Sequence, residues 1–375
     1  MKKCVEFIKK ETILCIAVLL AIISSCFVMP DEKYLSYIDV RTIVILFCLM
    51  AVVAGFRKLG VFGAIAKKLL EKVNGGYKLV VILVMLCFFF SMIITNDVAL
   101  ITFVPLGIQV LGMMGEEAKE KMLIPVVVLQ TIAANLGSML TPIGNPQNLY
   151  LYARSGMSGG EFLQLMFPYT ALSLVLLLAW CWGSGRKLKQ TKVCVQREEV
   201  GANYKELAGW ALMFFLCVLT VAGIIPYMVV LVLVVAGVLI LDKRILGRVD
   251  YALLGTFVAF FVFIGNMGRI PEFSQALESV IEGNEVITAV VTSQVISNVP
   301  AALLLSGFTD NISGLIVGTN LGGLGTLIAS MASLISFRYI GAEGKGKKLP
   351  YLGYFTAGNL LFLIILLLFY KTGIV

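Results

Sequence analysis

Apolar runs of membrane-spanning length recur from Thr12 to Tyr370. Each is about 17 to 25 residues long, enough for a helix to cross a hydrocarbon core of roughly 30 Å. With 59% hydrophobic and only 14% charged residues, against about 25% charged in a typical soluble domain, the chain is too apolar to be covered by its own polar surface. It reads as an all-α polytopic membrane protein. Its net charge of +8 follows from basic cytoplasmic loops rather than from nucleic-acid binding. Histidine is absent, which removes imidazole acid–base catalysis and imidazole metal ligation. The eight cysteines form no CxxC pair and mostly sit inside apolar runs, so neither disulfides nor a thiolate metal site is expected. No nucleophile–base pair is visible, and the chain is not read as an enzyme.

Continuous spans are predicted at about 12–29, 39–56, 122–150, 162–183, 207–223, 225–241, 250–267, 311–338 and 350–370, nine in all. Two further apolar stretches, about 78–114 and 284–309, are interrupted by Thr95-Asn96-Asp97 and by Ser297-Asn298. Each is expected to fold as a re-entrant helical hairpin or a pair of spans. Placing the N-terminus in the cytoplasm leaves only Lys33, Arg41, Arg154, Arg269 and Lys371 of the 30 Lys and Arg on the outer side. That bias sets the expected orientation: cytoplasmic (inner) membrane, N-terminus inside, C-terminus outside. The opening segment, basic then apolar, has the form of a signal peptide, but the repeat described next needs it as a permanent span.

The two halves echo one another in order. Ile38-Asp39 opens a span ending in Ala54-Gly55, and Val249-Asp250 opens one ending in Ile264-Gly265. Thr95-Asn96-Asp97-Val98-Ala99 is answered by Ser297-Asn298-Val299-Pro300-Ala301. Asn135-Leu136-Gly137-Ser138 with Thr141 and Ile143 is answered by Asn320-Leu321-Gly322-Gly323 with Thr326 and Ile328. After each Asp-initiated span comes an amphipathic stretch suited to the interface: Val61, Phe62, Ile65 and Leu69 on one face in the first half, Phe273, Leu277, Val280 and Ile281 in the second. The chain crosses an odd number of times between equivalent points, so the repeats are inverted. The expected organisation is a first repeat over 1–183, a cytoplasmic loop and linking span over 184–224, and a second repeat over 225–375. Inverted repeats built around discontinuous helices are the architecture of secondary transporters.

Polar clusters at membrane depth are tolerated only where they line a cavity or pack on protein. Four such clusters, 95–97, 135–148, 297–298 and 319–326, hold six of the twelve asparagines in 27 residues. In 135–148, Pro142, Pro146, Gly137 and Gly144 cannot occupy a regular helix together without breaking its hydrogen bonds, so an unwound segment is expected there. A second is expected at 319–326. Freed carbonyls suit a cation, and the half-helix beyond each break points N–H groups at an anion. Asp97 is the one acid inside a deep apolar run, a functional-site hypothesis by default with helix capping as the structural alternative. One candidate half-site comprises Thr95, Asn96, Asn135, Gly137 and Ser138, the other Ser297, Asn298, Asn320, Gly322 and Gly323. Asp97, Thr141, Pro142, Gly144, Asn145, Thr319 and Thr326 complete the candidate set.

At these residues the chain resembles the ion transporter superfamily, which includes arsenite permeases, sodium/proton antiporters and sodium symporters of the citrate and dicarboxylate type. The resemblance covers nearly the whole chain and is carried by Thr95-Asn96-Asp97, Thr141-Pro142-Ile143-Gly144-Asn145-Pro146, Ser297-Asn298-Val299-Pro300 and Thr319-Asn320-Leu321-Gly322. Symporter tips read Ser-Asn-Thr; here the third position departs in both halves. The Asn-Asp of the first tip, the proline after the second and Thr-Pro-Ile-Gly are similar to the arsenite-permease branch. The resemblance implies a secondary transporter of a small ion, an anion by preference, coupled to Na⁺ or H⁺, with Na⁺ at the Asn96 and Asn298 tips as the ion site and no other cofactor. Arsenite or antimonite efflux, Na⁺/H⁺ antiport and, in a different class, an ion channel are the rival readings. The expected partners are the substrate ion, the bilayer and a second copy in a homodimer.

Overall fold

The computed structural model describes residues 11–71, 75–185 and 204–373. The basic run from Arg186 to Arg197, with Lys2, Lys3, Lys9, Lys10 and Lys72, lies outside the described residues. Among the described residues the fold is all-helical, without strands. The principal helices are α1 (Thr12–Phe27), α2 (Val40–Lys58), α3 (Val61–Leu70), α4 (Gly76–Ile94), α5 (Asn96–Met113), α6 (Glu116–Ser138), α7 (Pro146–Ser155), α8 (Gly159–Gly185) and α9 (Tyr204–Val221). They continue as α10 (Tyr227–Asp242), α11 (Tyr251–Met267), α12 (Pro271–Ile281), α13 (Glu285–Ile296), α14 (Asn298–Ser306), α15 (Ile312–Leu321), α16 (Met331–Ala342) and α17 (Lys348–Lys371).

Seven of these, α2, α4, α5, α6, α8, α9 and α17, are long and apolar enough to cross a membrane. The count is eight if α11 and α12, bent by 105° at their junction, form one span. The sequence expectation of nine differs for local reasons. The stretches read as single spans at 122–150 and 311–338 are each two helices separated by a break, and α1 and α10 have only 16 residues. Both arms of the first hairpin, with 19 and 18 residues, reach span length, whereas those of the second have 12 and 9. At 1.5 Å per residue the latter are roughly 18 and 14 Å long, too short to cross.

Local chemistry explains where the helices start. Asp39 accepts from the backbone N–H of Thr42 (3.0 Å) and Asp250 from that of Leu253 (2.9 Å), capping α2 and α11 alike. Asn145 caps α7 by accepting from Asn148 N–H at 2.9 Å, with Pro146 in the first helical position where its missing N–H costs nothing. The two amphipathic helices cover only part of their apolar faces with protein. In α3 the buried residues are Phe62, Ala66 and Leu70, while Ile65 and Leu69 are exposed; in α12 only Ile281 is buried. Each keeps an apolar flank uncovered, as a helix lying in a lipid interface does.

Packing interlaces the two halves of the sequence. Helix α1 packs on α11 and α10 on α2, with Asn266 donating to Ser24 Oγ at 3.0 Å across the first pair. Lys58 pairs with Asp242 where α2 and α10 end. Helices α4, α5 and α6 form one packed group and α13, α14 and α15 another. The helices beyond the breaks cross over: α7 packs on α14 and α15, and α16 on α5 and α6. Two glycines permit close approach of the hairpins to the helices that precede the breaks. A Cβ on Gly137 would lie 2.0 Å from the Phe88 carbonyl oxygen and 2.6 Å from Ser91 Oγ; one on Gly322 would lie 2.6 Å from Ser293 Oγ.

Candidate functional site

Hairpin tips and breaks meet at the centre of the molecule. Thr95 and Ser297, which join the arms of the two hairpins, are the only described non-glycine residues with positive φ, at 73° and 75°, and have ψ of 152° and 154°. That region is almost confined to glycine and costs of order 1–3 kcal/mol, so it persists only where surroundings enforce it. The next backbone N–H does so in both places: Asn96 donates to Gly144 O at 3.2 Å and Asn298 to Ala329 O at 2.9 Å, each tying a tip to a break. Thr141 Oγ1 donates to Met92 O, and Thr326 Oγ1 to Gln294 O at 3.2 Å, repeating the tie one residue class over.

Side chains then cross between the breaks. Asn145, at the end of the first break, donates to Asn320 Oδ1 at 3.1 Å, and Ser330, at the end of the second, donates to Asn135 Oδ1 at 3.0 Å. Asn96 reaches the same Asn135 oxygen at 3.1 Å, Asn135 donates to Gly323 O at 3.4 Å, and Asn320 donates to Asn148 Oδ1 at 2.6 Å. Ser138 Oγ donates to Asn135 O and accepts from Asn145. Thus Asn96, Asn135, Ser138, Asn145, Asn320 and Gly323 form one buried network, with Gly137, Gly144 and Gly322 admitting the close backbone contacts. Asn298 lies beside Gly323. Thr319 stands apart: its hydroxyl bonds back to Leu315 O within α15. Pro142 sits half-buried in the first break, and Thr326 is an exposed turn residue.

A small void of about 10 Å³ lies between the tips. Apart from Leu253, its walls come from the starts of four helices: Asn96 and Asp97 of α5, Pro146 and Gln147 of α7, Asn298 and Val299 of α14, and Ser330 with Met331 of α16. Two larger cavities adjoin it, of about 240 and 590 Å³, both bordered by Asp97, Leu253, Arg248 and Asp250. Arg57 lines the smaller and Arg338 the larger. A separate cavity of about 380 Å³, lined by Tyr37, Asp39, Tyr150, Arg154, Phe261 and Gly265 among others, shares no residue with these. Between them Tyr150 is buried, its hydroxyl 2.8 Å from Ser306 Oγ and its ring against Phe257 and Phe261.

Asp97 lies in the first turn of α5 without capping it; its Oδ1 is buried and has no hydrogen-bond partner. Sequence reasoning passed over Ser330, Gln294, Gln147 and the arginines of the cavities. Ser330 was within reach, since it stands at the same offset from Asn145 as Asn320 does from Asn135. Gln294 carried no signal, because its counterpart in the first half is Met92.

The citrate transporter (CitMHS) family model matches residues 6–317. The chain belongs to this family. CitMHS membership makes it a multi-pass membrane transporter of a small solute, not an enzyme. It is 33% identical to inner membrane protein YbiR of Escherichia coli over 310 residues, covering 80% of each chain. With the uncharacterized transporter MJ0456 of Methanocaldococcus jannaschii it shares 34% identity over 303 residues, 80% of this chain and 81% of that one. The silicon efflux transporter LSI3 of Oryza sativa subsp. japonica is 27% identical over 159 residues, 41% of this chain and 32% of that one.

Proposed function

We propose that this CitMHS member is a secondary active transporter that moves a small anion, an inorganic oxyanion or a di- or tricarboxylate, across the cytoplasmic membrane by alternating access, coupled to Na⁺ or H⁺. The convergence of four helix starts on one void carries this reading. Each helix N-terminus presents partial positive charge, and four bordering one void favour an anion there without a lysine or arginine once the site opens beyond its present size of about one water. Around it, residues 1–183 and 225–375 act as inverted repeats, each contributing one hairpin tip and one broken helix, with 184–224 as the connection. The matched φ and ψ at Thr95 and Ser297 and the reciprocal Asn145–Asn320 and Ser330–Asn135 bonds support that pairing.

With the N-terminus inside and the C-terminus outside, Arg57, Arg248 and Arg338 fall on the cytoplasmic side and Arg154 on the outer side. The central void then adjoins only inward cavities, and the Tyr150–Ser306 contact with Phe257 and Phe261 is the closed outer gate. Asp97 is the acid lining the void itself, with Asp250 and Arg248 on the adjoining cavities, so anion binding among these helix starts requires Asp97 to be neutralised by a proton or a cation. That requirement is the coupling step. A relative named for silicon efflux favours a second reading, export of an inorganic oxyacid such as arsenite. Counterflow in proteoliposomes with arsenite, citrate, succinate and sulfate, with and without Na⁺ and pH gradients, separates these. Saturable exchange of one anion supports the transporter; conductance without saturation or gradient coupling points to a channel.

A further inference from the structure

Breaking a helix leaves carbonyl oxygens without N–H partners, and in a low-dielectric interior they must be met by a donor or by a cation. In the first break Asn148 Nδ2 lies 3.4, 3.3 and 3.2 Å from the carbonyl oxygens of Ser138, Met139 and Thr141, the last of which also accepts from the Gly144 N–H. In the second, Gln294 Nε2 lies 3.0 Å from those of Gly322 and Leu324, and 3.1 Å from the carbonyl of Val290 one turn back in its own helix. An amide nitrogen has two hydrogens, so each is shared among three oxygens and acts as a centre of partial positive charge inside an oxygen triangle.

The two amides come from different places. Asn148 is on α7, beyond its break, and its counterpart in the second half is Ser333, whose hydroxyl is buried without a partner. Gln294 is on α13, three residues before its tip, and its counterpart in the first half is Met92, which has no donor. The donor has thus changed element while the task is kept, which marks the carbonyl cluster as what needs the charge. Other break carbonyls are filled too, Gly144 O by Asn96 N–H and Ala329 O by Asn298 N–H. In contrast, Asp97 Oδ1 is buried beside the cavities with no donor of the chain's own.

We propose that Asn148 and Gln294 are built-in substitutes for cations: neither break binds a coupling ion, and the transport cycle carries a single coupling cation, a proton or a sodium ion, at Asp97. This rests on the transporter reading above, but its test needs no transported substrate. Gln294→Glu is nearly isosteric. It keeps an acceptor for the Thr326 N–H, which now bonds Gln294 Oε1 at 2.8 Å, and turns the donor into a carboxylate oxygen facing carbonyls, an arrangement that must recruit a cation. Asn148→Asp does the same in the first break, and Gln294→Met removes the donor without supplying an anion.

Thermal unfolding of the full chain in detergent, titrated with NaCl against choline chloride at constant ionic strength, reads the outcome. Wild type is expected either to respond to sodium with a Hill coefficient of about one, the response disappearing in Asp97→Asn, or to ignore sodium. Gln294→Glu and Asn148→Asp are expected to melt lower than wild type in choline and to gain a new, saturable stabilisation by sodium. Gln294→Met should be destabilised with no gain from sodium. The proposal is overturned by carboxylate variants whose midpoints match wild type in both salts, or by variants that cannot be recovered folded even in high sodium. A wild-type response with a Hill coefficient of about two, or one that survives Asp97→Asn, overturns it equally. Failure of every anion in the counterflow panel, with these thermal results intact, would strike the transporter reading alone.

Discussion

Asn96 and Asn298 hold equivalent places, each following a residue in a backbone region normally left to glycine and each tying its tip to a break through its own N–H. Replacing either side chain by alanine leaves that backbone tie intact, and transport should fall roughly tenfold or more; the thermal midpoint should change little in Asn298→Ala but drop in Asn96→Ala, which also loses its bonds to Asn135 Oδ1 and to the Asp97 N–H, about 1–3 kcal/mol. Wild-type uptake by both variants would reduce them to packing residues. Asp97 is a different case. Asp97→Asn mimics the neutral form; if the coupling ion is a proton, exchange without a gradient should survive while uphill uptake is lost. If it is sodium, the concentration for half-maximal transport should rise. Uptake across a pH series and a sodium series, compared with wild type, distinguishes the two, and identical profiles would leave Asp97 without a coupling role. The importance of these residues was readable from the sequence because asparagine and aspartate are costly in lipid. The role of Gln294 was not, because a lone Gln on an apolar run becomes significant only through the distant backbone it meets.

At the scale of elements, the hairpins depend on glycines that allow backbones to touch. Gly137→Ala would drive a Cβ to 2.0 Å from the Phe88 carbonyl, where backbone and not a pliable side chain must yield. A loss of about 1–3 kcal/mol is expected, visible as a lower melting midpoint, and Gly322→Ala, whose Cβ meets the Ser293 side chain rather than hairpin backbone, should lose less; unchanged midpoints would show that α6 and α15 can move away from their hairpins at no cost. Helix α7 lines the central void at Pro146 and the separate cavity at Tyr150 and Arg154, and in the proposed orientation Tyr150 is the outer barrier. Tyr150→Ala, which removes the ring against Phe257 and Phe261, should increase labelling of a cysteine placed at Pro146 by a membrane-impermeant reagent added from outside, whereas Tyr150→Phe, losing only the bond to Ser306, should do so much less. Equal labelling in wild type and Tyr150→Ala would place the outer barrier elsewhere. The positions of the breaks were legible from proline and glycine within apolar runs. Their lengths were not: the second runs over 322–330 and starts after the glycines begin, because Gly322 continues the last helical turn by donating to Gly318 O before the chain unwinds.

For the whole molecule, the proposed orientation predicts that cysteines introduced at Lys33 and Thr372 react with an impermeant reagent in intact cells, while ones at Gly247 and Gly346 react only after permeabilisation; the opposite pattern would reverse it. Sequence alone determined that the chain lives in a bilayer, that its polar residues concentrate at two tips and two breaks, and that the two halves share an ordered pattern. Those features follow from local energetics: apolar runs partition into lipid, and proline, glycine and asparagine interrupt helices wherever they stand. Tertiary structure decided which partners those interruptions find. The crossing of α7 onto α14 and α15 and of α16 onto α5 and α6, the interlocked packing of α1 on α11 and α10 on α2, and the meeting of four helix starts at one void all join residues far apart in the chain. No periodicity or composition encodes such pairings singly, because each is selected by the simultaneous packing of every helix around a centre where most buried polar groups find a partner.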